Sequence, residues 1–316
     1  MNENPGILWP AFHIMARNKR YLVWFYILNL VLSVLGAWAL RGALSGVLDN
    51  SLYSQKLAHG FDVFVFLDLI SRPELAGHAV ARPHIYFTWM FIFFSVLFMP
   101  GVLDAYSSER RLSREDFWAT CGRNLWRFIR LFVINLIIAG VVFAVSSGIN
   151  GAIGKAADDS PNVKLPFYLQ LIGGVIIFLI MTWIRAWFDV AQAHVVVHDE
   201  SKVRNSIRLA ARFVGRSTIS LLACYVLIAV FAAVVFLAGL WVWVVLVPPA
   251  AVVRAFLVGQ IILFLWLAAR FWQRACAVAF CATRMSEARR DEIAPAPIVS
   301  QAIPPSPAAP EVGPAL

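Results

Sequence analysis

Asp189 follows Arg185 by four residues within Trp183–Phe213, a stretch that passes from an apolar run into a basic one. A carboxylate and a guanidinium at that spacing meet on one helix face. Ionisable groups at a membrane boundary are costly and usually paired. Asp189 therefore reads either as a proton- or substrate-coupling carboxylate or as half of a structural ion pair. Asp104, 85 residues earlier, occupies an equivalent setting. That recurrence favours the structural reading, because architecture repeats. Arg274 stands at the third equivalent position and is a partner for either acid.

A second set of charges is arranged differently. Arg204, Arg208, Arg212 and Arg216 recur every four residues, and Arg123, Arg127 and Arg130 repeat the idea more weakly. Such spacing gives a slowly drifting basic stripe along one helix face. Val203, Ile207, Ala210 and Val214 fall on another. A helix of this kind lies at a bilayer surface, each cation contributing about 1 kcal/mol against anionic headgroups. The plainer reading is a solvated face that only sets topology. The expectation is contact with lipid headgroups or with a protein partner.

Other residues fail on spacing. His59, Asp62, Asp68, His78 and His84 share one loop but form no HxxxH pair. His194 and His198 have metal-like i,i+4 spacing, without an HExxH context. They read as boundary histidines, and no metal site is expected. Gly148–Lys155 resembles a phosphate loop superficially, but lacks the GxxxxGK[ST] pattern. GxSxG and SxxK are missing too. No catalytic residue and no cofactor are assigned, and a non-enzymatic role is expected. Asn29, Asn135 and Gln260 lie inside apolar segments, where amides usually hydrogen-bond between helices. Cys121, Cys224, Cys276 and Cys281 lack zinc-like spacing and read as packing thiols.

The elements that must carry these groups are membrane spans. Of 316 residues, 60% are hydrophobic and 14% charged, far from the usual balance of soluble domains. The net charge of +9 is concentrated beside apolar segments. That pattern argues for anionic lipid and against nucleic acid. Apolar segments of about 20 residues fall at Tyr21–Leu40, Tyr86–Ala105, Phe128–Ser147, Phe167–Val197, Thr218–Val247 and Ala251–Thr283. Pro100-Gly101 should kink the second. Residues 41–84 form a long outer loop with two short helices, and Gly148–Pro166 forms another. Inner amphipathic helices are expected at 113–127 and 199–216, the first opened by a Ser113–Asp116 capping box, the second by Asp199 as N-cap. The tail, 291–316, reads as disordered and polyproline-like. With both termini inside, 20 of the 27 Lys and Arg fall on the inner side and 7 outside. The positive-inside rule then places the chain in the cell (inner) membrane with both termini cytoplasmic.

A shift of 85 residues lays Asp104 on Asp189, Glu115 on Glu200, Arg123 on Arg208 and Arg127-Phe128 on Arg212-Phe213. The same shift lays Arg185 and Trp187 on Arg270 and Trp272. The fold expected is thus all-α: a polytopic membrane helix bundle of six transmembrane helices in three pseudo-repeated hairpins, with amphipathic cytoplasmic helices. Residues 1–290 form the bundle.

Arg185-Ala-Trp-Phe-Asp-Val-Ala-Gln-Ala193, followed by Arg204 and Arg212-Phe213, resembles a group of uncharacterised six-span prokaryotic membrane proteins. That group is similar to the membrane domain accompanying some glycerophosphodiester phosphodiesterases. The resemblance covers Tyr21–Thr283 and implies a lipid-embedded bundle. It carries over no catalytic residue, because no phosphodiesterase domain is present. The long first outer loop and the proline-rich tail depart from it. The function expected is a non-enzymatic integral membrane protein whose basic inner helices contact anionic lipid or a partner, including a second copy. The alternative is a small-solute or lipid transporter with Asp104 and Asp189 lining a polar path.

Overall fold

The structure, a computed structural model, describes residues 7–48, 81–108, 111–158, 164–199, 203–216, 218–248 and 251–293. They form α1 (Leu8–Arg17), α2 (Lys19–Leu48), α3 (Ala81–Ser107), α4 (Arg114–Asp158), α5 (Lys164–Val197), α6 (Val203–Arg216), α7 (Thr218–Leu246) and α8 (Val252–Ile293). No strand occurs among the described residues. Six of these helices (α2, α3, α4, α5, α7 and α8) are long and apolar enough to cross a membrane.

The buried residues concentrate at the end of the bundle that carries α1, α6 and the α3–α4 corner, here called the basic end. Ala186, Phe188, Val190, Ala191, Ala193 and Val195 of α5 are all at most 2% exposed. Burial around the whole circumference marks a central helix. Phe271 and Ala275–Val278 of α8 are buried in the same way. Towards the opposite end the outward faces are bare: Ile172, Val175, Val234, Leu237, Val244, Val253 and Leu257 are all at least half exposed, while Gly239 of α7 still packs closely on Ile262 of α8. Only 11–28% of each span's apolar window is buried within the protein, so the remaining surface needs an apolar solvent.

Small residues allow the tight packing. A Cβ on Gly101 would lie 2.5 Å from Phe117 Cε2 and 2.8 Å from Cys121 Sγ, so α3 and α4 can approach this closely only over glycine. α3 continues as helix through Pro100. Arg17 donates to the Ser108 carbonyl at 3.0 Å and Arg20 to that of Leu112 at 3.1 Å, so basic residues cover carbonyls at and after the C-terminal end of α3. All four cysteines are buried free thiols.

Several expectations are corrected. The separate helix at 113–127 is the first third of α4, which runs unbroken from Arg114 to Asp158. Ser113 caps the helix as expected: its Oγ accepts from the Asp116 amide at 3.1 Å, while the return bond of the box runs from the Ser113 hydroxyl to Asp116 Oδ2 at 2.7 Å, not from the Ser113 amide. Gly122 alone is too weak a breaker to end a helix whose next turn is already packed. Gly148–Lys155 is helix as well, not loop. Asp199 does not N-cap the following helix. It closes α5 instead, with a left-handed φ of 47° that aspartate tolerates better than most residues. The two short helices expected in 41–84 lie mostly outside the described residues, although 41–48 continue α2. The tail beyond Ile293 and the side chains of Phe213, Arg216 and His84 also lie outside them, as do His59, Asp62, Asp68, His78 and Glu200.

Candidate functional site

Asp189 sits in the last third of α5 and is 8% exposed. Its Oδ2 accepts a hydrogen bond of 3.0 Å from the Tyr225 hydroxyl of α7, and Arg185 Nε approaches the same oxygen at 3.8 Å. The anticipated i,i+4 pair is therefore present, with an interhelical donor added. Tyr225 is fully buried, and Gln273 of α8 donates to its carbonyl at 3.1 Å. Three helices thus meet around one carboxylate.

Arg274 of α8 lies within electrostatic reach of Asp189, Arg185 and Tyr106. It makes no ion pair within 4 Å among the described residues, and its buried Nε has no hydrogen-bond partner. Tyr106 Oη of α3 is likewise buried and unpartnered. Arg185, Asp189, Gln192, Arg270 and Arg274, with Asn135 of α4, line a cavity of about 430 Å³. Buried polar groups ordinarily find partners, and of these two orphans Arg274 lines the charged cavity.

Asp104 does not join this cluster. Its Oδ2 accepts from Thr120 Oγ1 at 2.9 Å, a bond that ties α3 to α4. Equivalent sequence positions therefore hold unlike roles, because Thr120 satisfies Asp104 locally while Asp189 meets a phenol and the Arg185 guanidinium. Asp189 lines the cavity, whereas Asp104 is bonded to the neighbouring helix.

At the basic end, Arg127 is turned inward. It donates to Asp199 Oδ1 at 2.6 Å and to Asn124 Oδ1 at 3.0 Å, with Arg123 Nε 3.8 Å from the same carboxylate. Its charge is thus paired with an acid of α5, while the Arg123 side chain stays more than half exposed. The Arg127 hydrogen bond, with the charge of Arg123 added, holds Asp199 below the usual carboxylate range. A depressed folded value stabilises above the unfolded pKa of about 3.9 and is lost as pH falls through the folded value. Asp199→Asn should lower the unfolding midpoint at pH 7 and leave it unchanged near pH 2. The effect is small, because the carboxylate is half exposed and screened. Unfolding midpoints of both chains across that pH range check it.

α6 packs Ser206, Ala210 and Val214, each at most 1% exposed, against the bundle. Trp187 Nε1 donates to the Ile207 carbonyl at 3.0 Å. Arg204, Arg208 and Arg212 are exposed. The buried side of α6 thus faces protein, where the sequence pattern suggested a face laid into lipid. The rings of His194 and His198 lie with centroids 4.3 Å apart and tilted by 34°, and His194 Nδ1 lies 3.4 Å from Ser206 Oγ. No group of three metal-ligating side chains occurs among the described residues. Gln260 accepts from the Tyr26 hydroxyl at 3.0 Å, an α2–α8 bond of the kind expected. Asn29 is bonded within its own helix, to Ser33, and Asn135 faces the cavity.

Tyr225, Gln273 and Tyr106 were not legible in the sequence. A tyrosine inside the apolar run of α7 was the one available signal, and only helix rotation shows that it points at Asp189.

Fold and site together define the class: a multi-pass helical bundle of membrane type. Comparison of the chain with family models, curated proteins and solved structures finds no match.

Proposed function

We propose that this is a non-enzymatic integral protein of the inner membrane, with both termini cytoplasmic, whose basic end holds anionic lipid headgroups. The observation that carries the reading is α6. It seats Ser206, Ala210 and Val214 on the bundle and leaves Arg204, Arg208 and Arg212 outward. Rigid seating holds the three cations at one level, where a leaflet rich in anionic lipid attracts each by about 1 kcal/mol. The charge asymmetry between inner and outer connections supports the orientation. The likeness of Arg185–Ala193 to six-span prokaryotic membrane proteins and the 85-residue internal correspondence, read as three hairpins, belong to the same proposal.

The test uses the full chain in bilayer discs with spin-labelled phosphatidylglycerol or phosphatidylcholine. The protein should immobilise the anionic label preferentially at low salt, and less so at 0.5 M salt. Replacing Arg204, Arg208 and Arg212 together by Gln should remove most of that preference. Equal immobilisation of both labels by the unaltered chain would end this reading. A second reading, a transporter, is favoured by one observation: Asp189 lines a polar cavity inside the bundle.

A further inference from the structure

A larger groove of about 760 Å³ runs between α5, α7 and α8. Its polar lining is confined to one end: Thr182, Arg185, Arg270 and Gln273. From there it follows α8 out to Ala255, about 22 Å at 1.5 Å per residue. That exceeds one leaflet's share of a hydrocarbon core about 30 Å thick. Alanines on α7 and Gly259 on α8 leave the space open, and a Cβ on Gly259 would meet nothing within 4 Å. Phe236, Trp243 and Trp266 on its walls are exposed, so the groove opens sideways towards lipid.

Arg185 and Arg270 line both this groove and the polar cavity beside Asp189. Arg185, Arg270 and Arg274 face one carboxylate, so two positive charges remain in excess. Among the described residues Arg270 forms no ion pair; its guanidinium lies 5.2 Å from the Trp266 ring centroid. Arg274, on the cavity side, has a buried Nε without a hydrogen-bond partner and a guanidinium 5.7 Å from the Phe271 ring centroid. Uncompensated cations at that depth are unfavourable, and an anion corrects them. A guanidinium fork matches phosphate oxygens in geometry and charge. We infer that the groove is a site for one anionic phospholipid. Its phosphate lies at Arg185 and Arg270, and one acyl chain runs along the groove over α7 and α8 towards Trp243. This is independent of the headgroup contacts assigned to α6.

Native mass spectrometry of the full chain in non-ionic detergent tests it, with phosphatidylglycerol, phosphatidylcholine or inorganic phosphate added. One phosphatidylglycerol per chain should be retained, at a concentration at least tenfold below that needed for phosphatidylcholine, about 1.4 kcal/mol. Arg270→Gln should weaken retention about tenfold by removing the anion's partner. Gly259→Trp should do the same by filling the groove. Ala233→Leu, a milder filling, decides the matter if the tryptophan variant does not fold. Millimolar inorganic phosphate should not displace the lipid, and the triple α6 variant should retain it as the unaltered chain does. Equal retention of both lipids overturns the proposal. So does normal retention by a folded groove-filling variant, displacement by phosphate alone, or loss confined to the α6 variant. A lipid-free dimer that Gly259→Trp or Ala233→Leu dissociates would assign the groove to a second copy and overturn it as well.

Discussion

Asp189→Ala should destabilise the bundle by about 3–5 kcal/mol, the usual cost of removing one member of a buried charged group. The carboxylate is the acceptor for Tyr225, a fully buried phenol, and the near counter-charge for Arg185. Without it the phenol loses its partner, and Arg185, Arg270 and Arg274 are left around a cavity with no described acid lining it. Asp189→Asn should fall between: the amide oxygen still accepts from Tyr225, but the charge is gone. Tyr225→Phe removes one hydrogen bond and should cost about 1 kcal/mol. Arg274→Gln should partly rescue Asp189→Ala, because it removes a cation that the loss of the acid left uncompensated. A double-mutant cycle on these two positions measures that coupling directly. Unfolding midpoints in mixed micelles supply the numbers. If Asp189→Ala and Asp189→Asn both stay within about 0.5 kcal/mol of the unaltered chain, as surface substitutions do, Asp189 is not structural. A carboxylate expendable for folding at that depth would favour the transporter reading.

What the sequence made legible followed from local physics. Apolar runs of sufficient length identified six helices able to cross a membrane, and these are present with boundaries displaced by a few residues to a turn or more. Arg185 and Asp189 met as their spacing required, because i,i+4 geometry needs no tertiary knowledge. Ser113 with Asp116 marked the start of a helix for the same reason. The second partner of Asp189, Tyr225, was out of reach, since it depends on how α7 is rotated about its axis. The fate of Asp104 was also hidden: Thr120, sixteen residues on, satisfies it across the α3–α4 corner. Arg123 and Arg127 read as free cations because nothing local opposed them. Their acid, Asp199, arrives from the far end of α5. Pattern arguments also broke α4 too early. A polar, charged first segment looked like a separate surface helix, yet Phe117, Cys121 and Phe128 keep one buried face in register through it.

Which helix faces stay bare away from the basic end was not visible in composition either. Every span is apolar on most sides, so hydropathy alone cannot tell a face that packs on protein from one that meets lipid. The groove between α5, α7 and α8 arises where alanine and glycine stand in for larger side chains.

The account depends most on the six long helices crossing a bilayer with the basic end on the cytoplasmic side. The native cysteines are buried, Cys121 to 1%, and are poor reporters of sidedness. New cysteines at Arg212, which is exposed, and at Val252, 74% exposed at the opposite end, are suited to the purpose. In intact cells a membrane-impermeant maleimide should label Val252→Cys, and should label Arg212→Cys only after the membrane is opened. Labelling of Arg212→Cys in sealed cells, with Val252→Cys protected, would contradict the orientation, and labelling of both would contradict the span count.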